Sequence, residues 1–150
     1  MKIRGDFVTN SSSSSFIVHF KNKDERIRGW DEAANKFCAE TADRMFRDIE
    51  RNKCTYSQAL AFYKEHIEWA VEYEVYYAPE NRNKSYDWRR TEECKALIAK
   101  KIKERIEAFI KETNHRGYFS IVEYCDHDEG DMEHHIMPRM SFVYERMSHH

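Results

Sequence analysis

The two ends of this chain read with a period of two and its middle with a period near 3.6. That division constrains the fold more than any single motif does. Near the N-terminus Phe16, Val18 and Phe20 alternate with Ile17 and His19, the pattern of a half-buried strand. In the last quarter, Gly117 to Cys125 and Met137 to Met147 read as two further strands of a hairpin, joined by a loop from Asp126 to His135. Between the ends lie three amphipathic stretches. The first starts at Trp30-Asp31-Glu32 with Asp31 as N-cap, and carries Ala34, Phe37, Cys38, Thr41, Met45 and Ile49 on one stripe to about Arg51. Thr55-Tyr56-Ser57-Gln58 has the form of a capping box and opens the second, where Ala59, Phe62, Tyr63, His66, Ile67 and Ala70 share a face; Val71 to Val75 alternates with period two and is read as a continuation of the helix, with a strand as the alternative. Asp87 opens the third, whose stripe runs from Cys94 through Leu97, Ile98, Lys101, Ile102, Ile106, Phe109 and Ile110 to stops at Asn114 and Gly117. The expected fold class is therefore α+β, a small antiparallel sheet (N-terminal strand plus two C-terminal strands) packed against three helices. Phe119, Ile121, Met140, Phe142 and Tyr144 are the expected inward partners of Phe16, Val18 and Phe20.

A chain of 150 residues is expected to form a single domain, 1–150, able to bury a core without disulfide or metal staples. The formal net charge of -2 argues against a protein built to grip a nucleic-acid backbone, because such binders need a basic excess to displace counterions. The run Lys100, Lys101, Lys103 and Arg105 is interleaved with Glu104 and Glu107 and reads as a solvated helix face. No apolar run approaches the roughly 20 residues of a membrane span, and no hydrophobic region follows the charges at Lys2, Arg4 and Asp6. Cys38, Cys54, Cys94 and Cys125 are scattered without a C-x-x-C pair, which suits reduced thiols rather than a cysteine zinc site. The expected location is the cytoplasm.

Five consecutive serines, Ser11 to Ser15, lie between Phe7-Val8 and Phe16-Ile17-Val18. Such flanks suit a turn held between ordered strands better than a loose linker. Ser11, Ser12 and Ser13 are candidate binding residues, since consecutive N–H groups and hydroxyls suit an anion nest; the alternative is a hydroxyl-rich turn that caps its own backbone. The stretch Arg4 to Val18, with Phe7-Val8-Thr9-Asn10-Ser11-Ser12-Ser13-Ser14-Ser15-Phe16 at its centre, resembles the N-terminal signature of a family of small bacterial and bacteriophage proteins. Asp126 to Gly130, Glu133-His134 and Ser148-His149-His150 are also similar to endings in that family. The resemblance covers about a tenth of the chain. It implies a bacterial cell or a phage-infected host as the setting, and no mechanism. His149 and His150 match a tag remnant as readily as a native ending, and the resemblance favours the native one.

The candidate chemistry is concentrated at the C-terminus. Five of the eight histidines fall between His127 and His150, with five carboxylates from Asp126 to Glu133 among them. Like charges so close raise one another's pKa, and a divalent cation relieves them. The candidate metal ligands are His127, Asp128, His134 and His149, with Asp126 or Glu133 as base or orienting group. Zinc, manganese or magnesium would then activate a water for hydrolysis of a phosphorylated substrate. An EF-hand is excluded, because counting from Asp126 puts Gly130 at position five and Met137 at position twelve. The bland alternative is a solvated connection whose charges keep it in water. A second class of function stands beside the metal site: a non-enzymatic, phage-borne protein that binds and inhibits a host defence or regulatory protein. The aromatic group Trp69, Tyr73, Tyr76, Tyr77, Tyr86 and Trp88 reads for the most part as core, and the same residue types beside a polar loop would supply the face for that role. The oligomeric state is not legible.

Overall fold

The computed structural model describes residues 13–149, and among these the side chains of all but 126–128, 148 and 149. The elements are β1 (Ser13–Phe20), α1 (Lys23–Lys36), α2 (Ala39–Arg51), β2 (Lys53–Cys54), α3 (Tyr56–Tyr76), α4 (Glu92–Thr113), β3 (Tyr118–Cys125), α5 (Asp126–Asp131) and β4 (Val143–His149). Short 3-10 turns at Pro79–Asn81, Tyr86–Arg90 and Met137–Arg139, and one π turn at Met132–Ile136, complete them. The class is α+β, with a four-stranded antiparallel sheet in the order β2-β3-β1-β4. The described chain clusters into two compact units, one from the segments up to Thr55 and from Gly117, the other from Tyr56–Arg116. No helix among the described residues is long and apolar enough to cross a membrane.

The sheet-bearing unit corrects several expectations. The two C-terminal strands do not form a hairpin: β1 lies between β3 and β4 and pairs antiparallel with both. The intervening segment must therefore travel from one flank of β1 to the other, and it does so as α5, the π turn and a 3-10 turn rather than as a loop. Met132, Met137 and Met140 are buried along that segment, with Ile136 packed against them, so a helical stripe was hidden among the charges. The serine run is not a turn where it is described. Ser13, Ser14 and Ser15 are strand residues, all buried, with Ser13 opposite Cys125 on one side and His149 on the other.

The inward face is also shifted by one residue on β3. Phe16 stands opposite Val122 and Val18 opposite Ser120, so Val122 and Tyr124 join the core with Phe16, Val18, Phe20, Met140 and Phe142. Phe119 and Ile121 pair with His19 and Ile17 and so lie on the other face. β3 is apolar at both parities, Phe119 and Ile121 against Val122 and Tyr124, and periodicity alone could not choose. On β4 the register shifts between Ile17 and Val18, whose partners are Glu145 and Val143, leaving Tyr144 as the extra residue of a bulge.

The expected first helix is two. Asn22 caps α1, its Oδ1 accepting from the Glu25 backbone N–H at 2.8 Å, while Glu25 Oε2 accepts from the Lys21 N–H at 2.9 Å. Asp31 lies in mid-helix. The break falls at Phe37 and Cys38, where Cys38 Sγ accepts from the Thr41 N–H at 3.4 Å and starts α2. Ala33, Ala42, Met45 and Ile49 bring these helices onto the Phe16 face, and Ser120 Oγ donates to the Ile49 carbonyl at 2.9 Å.

In the second unit α3 and α4 pack on each other, with the Tyr63 and Phe109 rings stacked 4.8 Å apart. α4 starts later than expected. Asp87 lies in a 3-10 turn, and Thr91 is the N-cap, its Oγ1 accepting from the Cys94 N–H at 3.3 Å. Asn114 closes α4 in the left-handed conformation, as its position suggests. Gly117, back in the sheet-bearing unit, has φ +100°, and a Cβ there would come 2.1 Å from the Phe20 carbonyl oxygen.

Candidate functional site

The predicted site residues divide sharply. Ser11 and Ser12 lie outside the described residues. Asp126, His127 and Asp128 form the first turn of α5 and His149 ends β4, but their side chains too lie outside the description. Glu133, His134 and Ser13 can be placed. Ser13 is extended within the sheet, and an extended strand lacks the curled run of N–H groups an anion nest requires. Among the described residues no group of three or more His, Cys, Asp or Glu is arranged to hold a metal ion.

Glu133 and the serine run nonetheless meet. The π turn drives the Glu133 side chain inward until it is 1 % exposed, and Ser14 Oγ donates to its Oε1 at 2.8 Å. Arg146 reaches the same point from β4. Its Nε donates to Ser14 Oγ at 3.1 Å, its Nη2 lies 3.8 Å from Glu133 Oε1, and its guanidinium rests over the Phe16 ring at 5.8 Å. His134 closes the group, with Nδ1 3.2 Å from Arg146 Nη2 and Nε2 3.5 Å from Glu133 Oε2. A guanidinium only donates, so His134 Nδ1 is the acceptor and the ring proton sits on Nε2, facing the carboxylate. Among the described residues, Glu133 Oε2 is buried without a hydrogen-bond partner.

This arrangement is poorly disposed to catalysis. Ser14 is fully buried and gives its proton to a carboxylate, whereas a nucleophile needs a base to take that proton and a path for substrate. The chemistry it does perform is neutralisation: a carboxylate taken out of water is met by a hydroxyl and a fixed cation, tying β1, the π turn and β4 together. Sequence reasoning missed Ser14 and Arg146. Ser14 is one serine among five, and Arg146 stands where strand alternation allows any exposed charge.

The second unit carries a different feature. Trp69, Tyr73 and Tyr77 recur at a spacing of four along the outer face of α3 and just past its end, 47 %, 56 % and 59 % exposed. Their rings touch in sequence, with centroids 5.8 Å apart for Trp69–Tyr73 and 4.6 Å for Tyr73–Tyr77. Lys101 and Arg105 of α4 both pair with Glu74 beside them. Past α3, Asn81 Nδ2 donates to the Val75 carbonyl at 2.7 Å and fixes the turn that follows. There a cleft of about 470 Å³ opens between Tyr77, Tyr86 and Trp88, with Arg82, Lys84 and Arg89 among its walls and no carboxylate. The Arg89 guanidinium is held over three rings, 4.4 Å from Tyr76, 5.4 Å from Tyr77 and 5.2 Å from Tyr86. Burial pushes the Tyr76 phenol above its ordinary pKa, with Glu72 adding to the rise. The aromatic group was legible in the sequence; the three cations beside it were not singled out, since an i, i+2, i+7 spacing across two turns follows no period.

No family model, curated protein or solved structure matches this chain.

Proposed function

We propose that this chain is a non-enzymatic binding protein that engages a protein partner through the outer face of α3. The observation that carries this reading is the ladder Trp69, Tyr73 and Tyr77, three large rings each in contact with the next and each about half exposed. Isolated exposed apolar residues are ordinary, but a contiguous row of them is not. Trp, Tyr and Arg are the side chains that dominate interface energetics, and the Glu74, Lys101 and Arg105 group supplies a polar rim. The N-terminal resemblance suits a bacterial protein as partner, and thus a phage-borne inhibitor of a host defence or regulatory protein. The test is capture from bacterial lysate with the native chain and with the Trp69→Ala, Tyr73→Ala, Tyr77→Ala variant, both checked for folding by circular dichroism. A partner bound by the first and lost by the second is the expected result. Equal capture by both would remove the ladder from the argument.

A metal-binding reading stands second. It takes His127, Asp128, His134 and His149 as ligands for zinc, manganese or magnesium, with Asp126 or Glu133 as base in hydrolysis of a phosphorylated substrate. What favours it is the approach of His134 Nε2 to Glu133 Oε2, an oxygen with no hydrogen bond among the described residues. What weighs against it is Arg146, a fixed cation already beside both groups. Stoichiometric metal in the native chain, lost on His127→Ala with His134→Ala, would establish this reading over the first.

A further inference from the structure

We infer that the cleft bounded by Tyr77, Tyr86 and Trp88 is a binding site for a nucleoside phosphate. Its walls hold three cations, Arg82, Lys84 and Arg89, and no acidic side chain. Among the described residues neither Arg82 nor Arg89 lies within ion-pair distance of a carboxylate. Lys84 has one at the edge of that range, Glu93 at 3.9 Å, whose other oxygen accepts from the Trp88 indole N–H at 3.4 Å. Arg82 and Lys84 are exposed, so water screens the cluster when it is empty, and an anion would gain charge-assisted hydrogen bonds from three cations at once.

The aromatic rings decide which anion. A site for bare phosphate needs only N–H donors, whereas here the cations alternate with flat apolar surface. Tyr86 is 67 % exposed and Tyr77 59 % exposed, so that beyond the Arg89 guanidinium on both rings, Arg90 on Tyr86 and Tyr73 on Tyr77, ring surface remains for a planar group to stack on. Arg89 is held in place by its three tyrosine neighbours, and cation–π contact uses the guanidinium face while leaving its edge N–H groups free to donate. Lys84 lies 5.0 Å over the Trp88 ring and supplies a mobile point charge beside that fixed fork. A ligand with a phosphate at one end and a heteroaromatic ring at the other satisfies both halves. The cleft volume of about 470 Å³ is within the range of roughly 300–1,000 Å³ usual for small-molecule sites.

The wall is also pre-formed. Asn81 is 8 % exposed and its amide is bonded to the end of α3, while Thr91 Oγ1 donates to the Trp88 carbonyl at 2.6 Å. Both ends of the segment carrying the cations are therefore anchored, which lowers the ordering cost of binding.

This inference does not rest on the protein-binding ladder, although Tyr77 borders both. The experiment is titration of the full chain by isothermal calorimetry with AMP, with adenosine and with inorganic phosphate. AMP is expected to bind saturably, with both fragments weaker by about tenfold or more, because each makes only half of the contacts. Arg82→Ala with Lys84→Ala, both exposed positions, should weaken AMP by about tenfold, and Tyr86→Ala should do so with the cations intact. Trp69→Ala with Tyr73→Ala, which lie outside the cleft, should leave AMP affinity unchanged even where it abolishes protein capture. No saturable AMP binding at millimolar concentration, phosphate binding as tightly as AMP, or insensitivity to both sets of cleft variants would each overturn the site.

Discussion

Replacing Arg146 with Met removes a charge but keeps a stem of similar length over the Phe16 ring. It therefore isolates what the guanidinium does for Glu133. At the observed 3.8 Å, and with an effective dielectric near 20, the attraction is about 4 kcal/mol. Removing one partner of a fully buried pair costs about 3–5 kcal/mol, because the other charge is stranded. Arg146 retains 33 % of its side-chain exposure, so part of its hydration survives in the native state and the cost should fall to about 2–3 kcal/mol. For a chain of this size that corresponds to a drop of about 5–10 °C in melting temperature. The decisive comparison is a double-mutant cycle with Glu133→Gln, which retains an oxygen for Ser14 Oγ and removes the buried charge. The sheet-bearing unit has a reporter of its own, since Trp30 is its one tryptophan in the sequence. Urea unfolding followed by fluorescence in a Trp69→Phe, Trp88→Phe background reads that unit. The two substitutions should couple by about 1.5–2.5 kcal/mol, with the double variant more stable than Arg146→Met alone. A coupling below about 0.5 kcal/mol, the range of an exposed ion pair, would refute the reasoning.

Gly117→Ala should destabilise by about 3 kcal/mol or more, seen as a lowered melting temperature, since the new Cβ meets the Phe20 carbonyl at a positive φ. Asn22→Ala should cost about 1 kcal/mol in urea unfolding by stripping the cap of α1. Tyr124 OH donates to Asp48 Oδ2 at 2.8 Å, and burial, reinforced by that carboxylate, pushes its phenol well above the ordinary value. A phenol that must stay protonated in the folded state while the unfolded one ionises gives no pH dependence below about pH 10, and it subtracts up to about 1.4 kcal/mol per unit above it. Tyr124→Phe should therefore flatten the alkaline loss of stability; an unchanged slope above pH 10 would refute that assignment. Cys38 is exposed, and its thiol pKa is lowered by the hydrogen bonds from Thr41, whereas burial raises those of Cys54 and Cys94. Iodoacetamide at neutral pH should label Cys38 first, read by peptide mass spectrometry.

Local chemistry carried a good part of this structure on its own. The α+β class, the strand at Tyr118–Cys125, the helix at Tyr56–Tyr76 and the left-handed stop at Asn114 follow from periodicity and from residues whose backbone preferences act within a turn or two. The start of α1 was read too late, with Asp31 as its cap, although Asn22 stands three residues before Glu25, whose backbone N–H it caps. The aromatic residues of α3 were visible as residue types but read mostly as core, and the structure puts Trp69, Tyr73 and Tyr77 on the surface. Tertiary structure decided everything that depends on pairing at a distance. That β1 sits between β3 and β4 is a choice among sheet orders, and no residue of the serine run announces it. The face of β3 that turns inward depended on a register the sequence left degenerate. Glu133 became buried because the crossing segment wound into a π turn, and Ser14 and Arg146 were then in reach of its carboxylate from two different strands. Helix caps and stripes are short-range and so are written in neighbouring letters. The buried Glu133 carboxylate meets its partners only after the chain has closed, with Ser14 119 residues away on β1 and Arg146 on β4.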